Sequence, residues 1–122
     1  MLGSSITLTV NAVAKAMQLI NQDAYSAEYA LFESTEKWVL KVSHRRDKAN
    51  KDGVVYARHV VDFTQTTYAV AGVSPELQKR YYATFVCRDG DSVEENYLVA
   101  ALSAYLTASS GANAIKILNW ES

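Results

Sequence analysis

The chain has 122 residues, which suits one compact domain (residues 1–122) and leaves no length for a second of ordinary size. Hydrophobic residues make up 49%, Tyr occurs 8 times and Pro once, a composition that excludes a disordered tail and predicts a buried core. The formal net charge of -1 removes any global electrostatic argument for nucleic acid or an anionic membrane, so such an argument has to be local.

In chain order, Ser5 to Val10 alternates Ile6, Leu8 and Val10 with Thr7 and Thr9, and Asn11 can turn the chain into "VAKAMQLIN". A leading β-hairpin is expected there. "AEYALFE" (residues 27–33) and "KWVLKVSHRR" (37–46) are separated by "STE", which predicts another antiparallel pair. "NKDG" (50–53) is an Asp-Gly turn signal, after which "VVYARHVVDFTQ" resumes a period of two. Residues 66–76, with Gly72 and Pro75, read as a loop leading into "LQKRYYATFVCR". Short strands joined by tight turns favour an antiparallel meander.

The period then changes. Ser92 and Glu95 stand in capping-box spacing, acids fill the first turn, and Gly111 ends the pattern, so a helix is expected from there to Gly111. "ANAIKILNW" predicts a second, shorter helix, with Trp120 as an anchor. Strands first and helices last define an α+β chain. No run of about 18 apolar residues and no secretory signal stand out, so a soluble intracellular protein with no membrane partner is expected.

The strand alternation sorts side chains onto two faces. Trp38, Leu40, Val42, His44, Ala57, His59, Val61, Phe63, Tyr81, Ala83, Phe85 and Cys87 fall on an apolar face. Lys41, Ser43, Arg45, Tyr56, Arg58, Asp62, Arg80, Tyr82 and Thr84 fall on the other, which is cationic and aromatic. From Lys37 to Lys51 six basic residues meet one acid, Asp47. Two helices are too little to cover the sheet and its edge is open, which predicts a homodimer whose edge strands pair and whose helices cover the partner.

Four stretches, "INQDAYSAEY", "YARHVVDFTQTTYA", "SPELQKRYYA" and "ILNWES", carry a resemblance that extends over nearly the whole chain. The chain resembles the coat proteins of single-stranded RNA bacteriophages, most of all that of a small RNA phage of Caulobacter. The resemblance implies an N-terminal hairpin, a five-stranded antiparallel sheet and two C-terminal helices, interlocked as a dimer with a ten-stranded sheet. It further implies an icosahedral capsid that packages single-stranded genomic RNA against the inward sheet face. An operator hairpin bound on that face would repress replicase translation. The implied setting is the virion, with assembly in the host bacterial cytoplasm.

Residue by residue, the resemblance assigns RNA contacts to Lys41, Ser43, Arg45, Tyr56, Arg58, Tyr82 and Thr84. Lys and Arg would neutralise phosphates, Tyr82 would stack on an unpaired base, and the hydroxyls would bond phosphate or base edges. No cofactor is required. A subunit at -1 that packs RNA needs help, and Asp47, Asp62, Asp89 and Asp91 are the candidates to hold Ca²⁺ at subunit contacts. The loop at residues 66–76 has no cysteine, so shell contacts are expected to be noncovalent.

Plainer readings stand beside these. The basic run also fits a solvated strand face, and Tyr56 or Tyr82 a protein interface. His44 and His59 are expected to be packed and hydrogen-bonded and Cys87 to be a structural thiol, with no active site. The alternative function is a small α+β dimer that binds RNA or a small ligand without assembling.

Overall fold

In the computed structural model residues 2–90 and 97–121 are described. The chain divides into two compact units, Met1–Asp89 and Gly90–Ser122. The first unit is a sheet of six strands: β1 (Ser5–Val10), β2 (Val13–Gln22), β3 (Ser26–Phe32), β4 (Glu36–Arg46), β5 (Tyr56–Thr67) and β6 (Leu77–Arg88). They lie side by side in chain order, and every pairing is antiparallel.

The expected separate hairpin beside a five-stranded sheet is corrected here. β2 pairs with β1 on one side and β3 on the other, so the hairpin is continuous with a six-stranded sheet. The register of β2 on β3 shifts between Leu19 and Asn21. Such a bulge bends the strand and strengthens its twist. The sheet curls there, and β2 approaches β4 across β3.

Each turn has a local cause. Asn11 and Ala12 both take positive φ, 50° and 64°, between the paired Val10 and Val13, the backbone that a two-residue hairpin requires. The Asp23 carboxylate accepts the backbone N–H groups of Tyr25 (2.7 Å) and Ser26 (2.8 Å) and the Ser26 hydroxyl (3.0 Å). These bonds, that from Tyr25 foremost, hold its carboxyl below the usual range. Asn50 Oδ1 accepts from the N–H groups of Asp52 and Val54, and Gly53 takes φ 77° to close the turn anticipated at "NKDG".

The loop expected at residues 66–76 is shorter than its sequence suggests. Thr66 and Thr67 complete β5, with Thr66 buried, and only residues 68–76 lie between strands. There the N–H of Val70 bonds Ser74 and that of Ser74 bonds Val70, a miniature hairpin with Gly72 at φ 74°.

The core lies on one face of the curled sheet. Met17, Tyr29, Trp38 and Leu40 are its buried centre, with Ile6, Leu8, Val10, Leu19, Leu31, Val61 and Phe63 packed around them. Burying such side chains is worth about 1.5–3 kcal/mol each. Their polar atoms are satisfied: Tyr29 donates its hydroxyl to Gly3 O at 2.7 Å, and Trp38 donates Nε1–H to Glu33 Oε1 at 2.9 Å. Lys15 caps this group, 2.8 Å from Glu33 and 5.2 Å from the Trp38 ring centroid.

The second unit holds α1, Tyr97–Leu118. Its backbone leaves helical values from Ala108 to Gly111, with Ser109, Ser110 and Gly111 all at positive φ. Two helices meeting at Gly111 were expected; two helical stretches are found within α1, and the break between them begins three residues earlier, at Ala108. Asn113 Nδ2–H crosses the interruption to Tyr105 O at 2.9 Å, satisfying a carbonyl the break sets free. The capping residues Ser92 and Glu95 lie outside the described residues. Trp120, expected as an anchor, is 95% exposed in the single chain.

By length and composition α1 is apolar enough to cross a membrane, which its sequence pattern did not suggest. The interruption divides it into residues 97–107 and 112–118, neither long enough to span a bilayer.

Candidate nucleic-acid interface

Directly opposed residues in antiparallel strands share a face, so the register decides which side chains meet. Lys41 stands opposite Asp62, and Asp62 opposite Tyr82. One step along, Ser43 faces Val60, and Val60 faces Thr84. Next, Arg45 faces Arg58, and Tyr56 faces Arg88 at the end of the sheet. All seven residues singled out from the sequence therefore lie on one face, spread over three adjacent strands.

Their environments differ. Tyr82 (59% exposed) and Tyr56 (41%) present much of their rings to solvent. Lys41, Arg45 and Thr84 are exposed, and Ser43 and Arg58 are half-buried. Ser43, Arg45, Arg58, Val60 and Thr84 border an open depression of about 400 Å³. A Val floor between two hydroxyls and two guanidinium groups can take a flat polar ring or a phosphate.

Two acids organise the charge. The N–H of Asp47 bonds Tyr56 O at 2.8 Å, which extends β4 by one residue and puts its carboxylate on the same face. Asp47 Oδ2 accepts Arg58 Nε–H at 2.7 Å, while Oδ1 lies 3.5 Å from Arg45 Nε. Asp62 accepts from Arg80 Nε–H at 2.9 Å, from its Nη2 and from the Thr64 hydroxyl. The Arg80 bond holds the Asp62 carboxyl below its usual range, and Asp62 in turn pushes Arg80 up. Arg80 also lies over the Tyr82 ring, 4.8 Å from its centroid. Among the described residues, Lys41 has no ion pair.

Arg80 and the bridging roles of Asp47 and Asp62 were not assigned to the site from sequence. Arg80 precedes Tyr82 by two and Asp47 follows Arg45 by two, so strand parity alone places both on this face. Asp47, Asp62 and Asp89 were read as candidate cation ligands; within one chain each serves an arginine, Asp89 taking Arg46 Nε–H at 2.7 Å. Among the described residues no three His, Cys, Asp or Glu side chains gather as a metal site, and Asp91 lies outside them.

The other face holds His44 opposite His59, with 2.8 Å between their Nδ1 atoms, and Cys87 Sγ 3.9 Å from His59 Nε2. The Sγ contact lies at the outer limit of a sulfur hydrogen bond.

The sheet is thus an antiparallel meander with a hydrophobic face and, on β4, β5 and β6, a basic and aromatic face opposite it. Residues 3–88 match the family described as phage phiCb5, coat protein, and the chain belongs to that family. It is thus a phage coat protein, of the Caulobacter RNA-phage type, and a coat protein's place is the virion. No curated protein matches the chain.

Proposed function

We propose that the chain is the major capsid subunit of an RNA phage, which dimerises, closes into an icosahedral shell and packages single-stranded RNA against its polar sheet face. The observation that carries this reading is the register: Lys41, Ser43, Arg45, Tyr56, Arg58, Tyr82 and Thr84 share one face of three adjacent strands. Cations for phosphates, rings for unstacked bases and hydroxyls for base edges are the groups such a surface needs. An operator hairpin that represses replicase translation would use the same groups, and assembly would take place in the host cytoplasm.

Dimer formation has its own support. Among the described residues β6 pairs only with β5 and β1 only with β2, so each leaves an edge open, and Leu98, Leu102, Ile117 and Leu118 of α1 are exposed in the single chain. An open edge and uncovered apolar side chains are both relieved by a second copy across a two-fold axis. Calcium, if it strengthens the shell, would draw acids from neighbouring subunits.

Expression of the chain alone in bacteria tests the reading. Uniform closed particles by electron microscopy, with the ultraviolet absorbance of enclosed nucleic acid, are expected. A stable dimer free of nucleic acid under all salt and Ca²⁺ conditions would refute assembly and favour the small-dimer alternative.

A further inference from the structure

Arg45 and Arg58 are directly opposed across β4 and β5, an arrangement that is repulsive unless an anion lies between them. In the free chain that anion is Asp47, with one oxygen toward each arginine. A short way along the face Asp62 bonds Arg80 across one ladder and faces Lys41, without an ion pair, across the other. The arginine side chains are the outer partners: Arg45 is 71% and Arg80 53% exposed, against 29% for Asp47 and 18% for Asp62. The cations are within reach of a ligand, and the acids sit beneath them.

We propose that Asp47 and Asp62 are internal stand-ins for RNA phosphate, which compete with it for Arg45, Arg58 and Arg80 and so set how tightly this face holds a strand. The proposal rests on the RNA reading of the face. A phosphate that takes the Nε–H of Arg58 has to displace a carboxylate oxygen at 2.7 Å. The released carboxylate then gathers a counter-cation, which cancels part of the counterion release that drives RNA binding. At the second clamp, Asp62 keeps Arg80 over the Tyr82 ring, so a phosphate that draws Arg80 away also uncovers a ring face for a base. The face is thereby an exchanger of anions, and its affinity is lower than its cations alone would set.

The test is binding of a labelled oligouridylate, followed by fluorescence anisotropy across a KCl series, with thermal melts of each protein. Asp47→Asn and Asp62→Asn are each expected to bind about threefold tighter or more, with a salt slope steeper by about 0.7 for each arginine freed. Glu28→Gln removes the same charge from the same face, opposite Lys41 and, among the described residues, with no arginine bonded to it, and is expected to stay near wild type. Unchanged affinity and slope in both Asp variants would overturn the proposal. So would weaker binding with a lower melting temperature, which would make the acids structural clips, or an equal gain from Glu28→Gln. Should Asp47→Asn fail to fold, the Asp62→Asn arm decides. Absence of binding by wild type and variants alike would sink the RNA reading itself, whereas wild-type binding that the Asp variants leave unaltered sinks only the competition.

Discussion

His44 and His59 face each other across β4 and β5 with their Nδ1 atoms 2.8 Å apart and their rings edge to face. A hydrogen bond between like atoms needs one Nδ1–H and one bare Nδ1, so when both rings are neutral they are opposite tautomers. Nitrogen-15 NMR of the imidazoles, taken where both rings are neutral, should give one ring protonated at Nδ1 and the other at Nε2. Two rings both protonated at Nε2 would mean the contact is not a bond. Replacing His44 by Ala should cost roughly 0.5–1.5 kcal/mol, the net worth of one hydrogen bond.

Glu33 ties together the two ends of the core cap, accepting from Lys15 and from Trp38 Nε1–H. The Lys15 bond holds its carboxyl below the ordinary 4.5. A carboxylate depressed in the folded state stabilises the fold fully above its unfolded value, and that contribution is lost as pH falls through the folded one. The melting-temperature gap between wild type and Glu33→Gln should therefore be widest near neutrality and close as pH drops below 4.5. A gap constant with pH would mean that Glu33 acts through shape alone.

Tyr82 separates stacking from hydrogen bonding. If its ring takes an RNA base, Tyr82→Phe should retain most binding, while Tyr82→Ala should lose about 1–3 kcal/mol. Equal losses in a titration with the same oligouridylate would assign the effect to the hydroxyl.

The open side of β6 can be probed without touching its bonds to β5. The N–H of Asp89 reaches Val55 O, and alternation along the strand turns the N–H groups of Cys87 and Phe85 inward and that of Val86 outward. Proline at position 86 removes a donor for which the described residues offer no backbone acceptor. Val86→Pro should keep the β-sheet circular dichroism yet sediment as a monomer; a persisting dimer would place the interface elsewhere.

Much of this was readable in the sequence because a period of two is unforgiving. Trp38, Leu40 and Val42 could share only one face, and with them went the placement of Lys41, Ser43 and Arg45 on the other. The pairing of Asp47 with Arg58 was not readable, because it depends on Asp47 reaching Tyr56, a register set by the turn at Asn50–Gly53 and not by either residue's type. The joining of the hairpin to the sheet escaped for a related reason: nothing in β2's alternation says that both of its edges are bonded. At the C-terminus Gly111 was a visible stop, but the left-handed conformations of Ser109 and Ser110 belong to residues that take helical values as readily.

The strand order β1-β2-β3-β4-β5-β6 also bears on how the subunit is made. Each strand pairs with the one synthesised just before it, so the sheet can grow by successive hairpins as the chain leaves the ribosome, without a distant segment to wait for. Among the described residues two strands keep an unpaired edge, the six-residue β1, made first, and the twelve-residue β6, made last. The longer of the two edges, that of β6, is thus presented only when the rest of the sheet is already in place, which shortens the interval in which a half-built subunit could offer it to another chain.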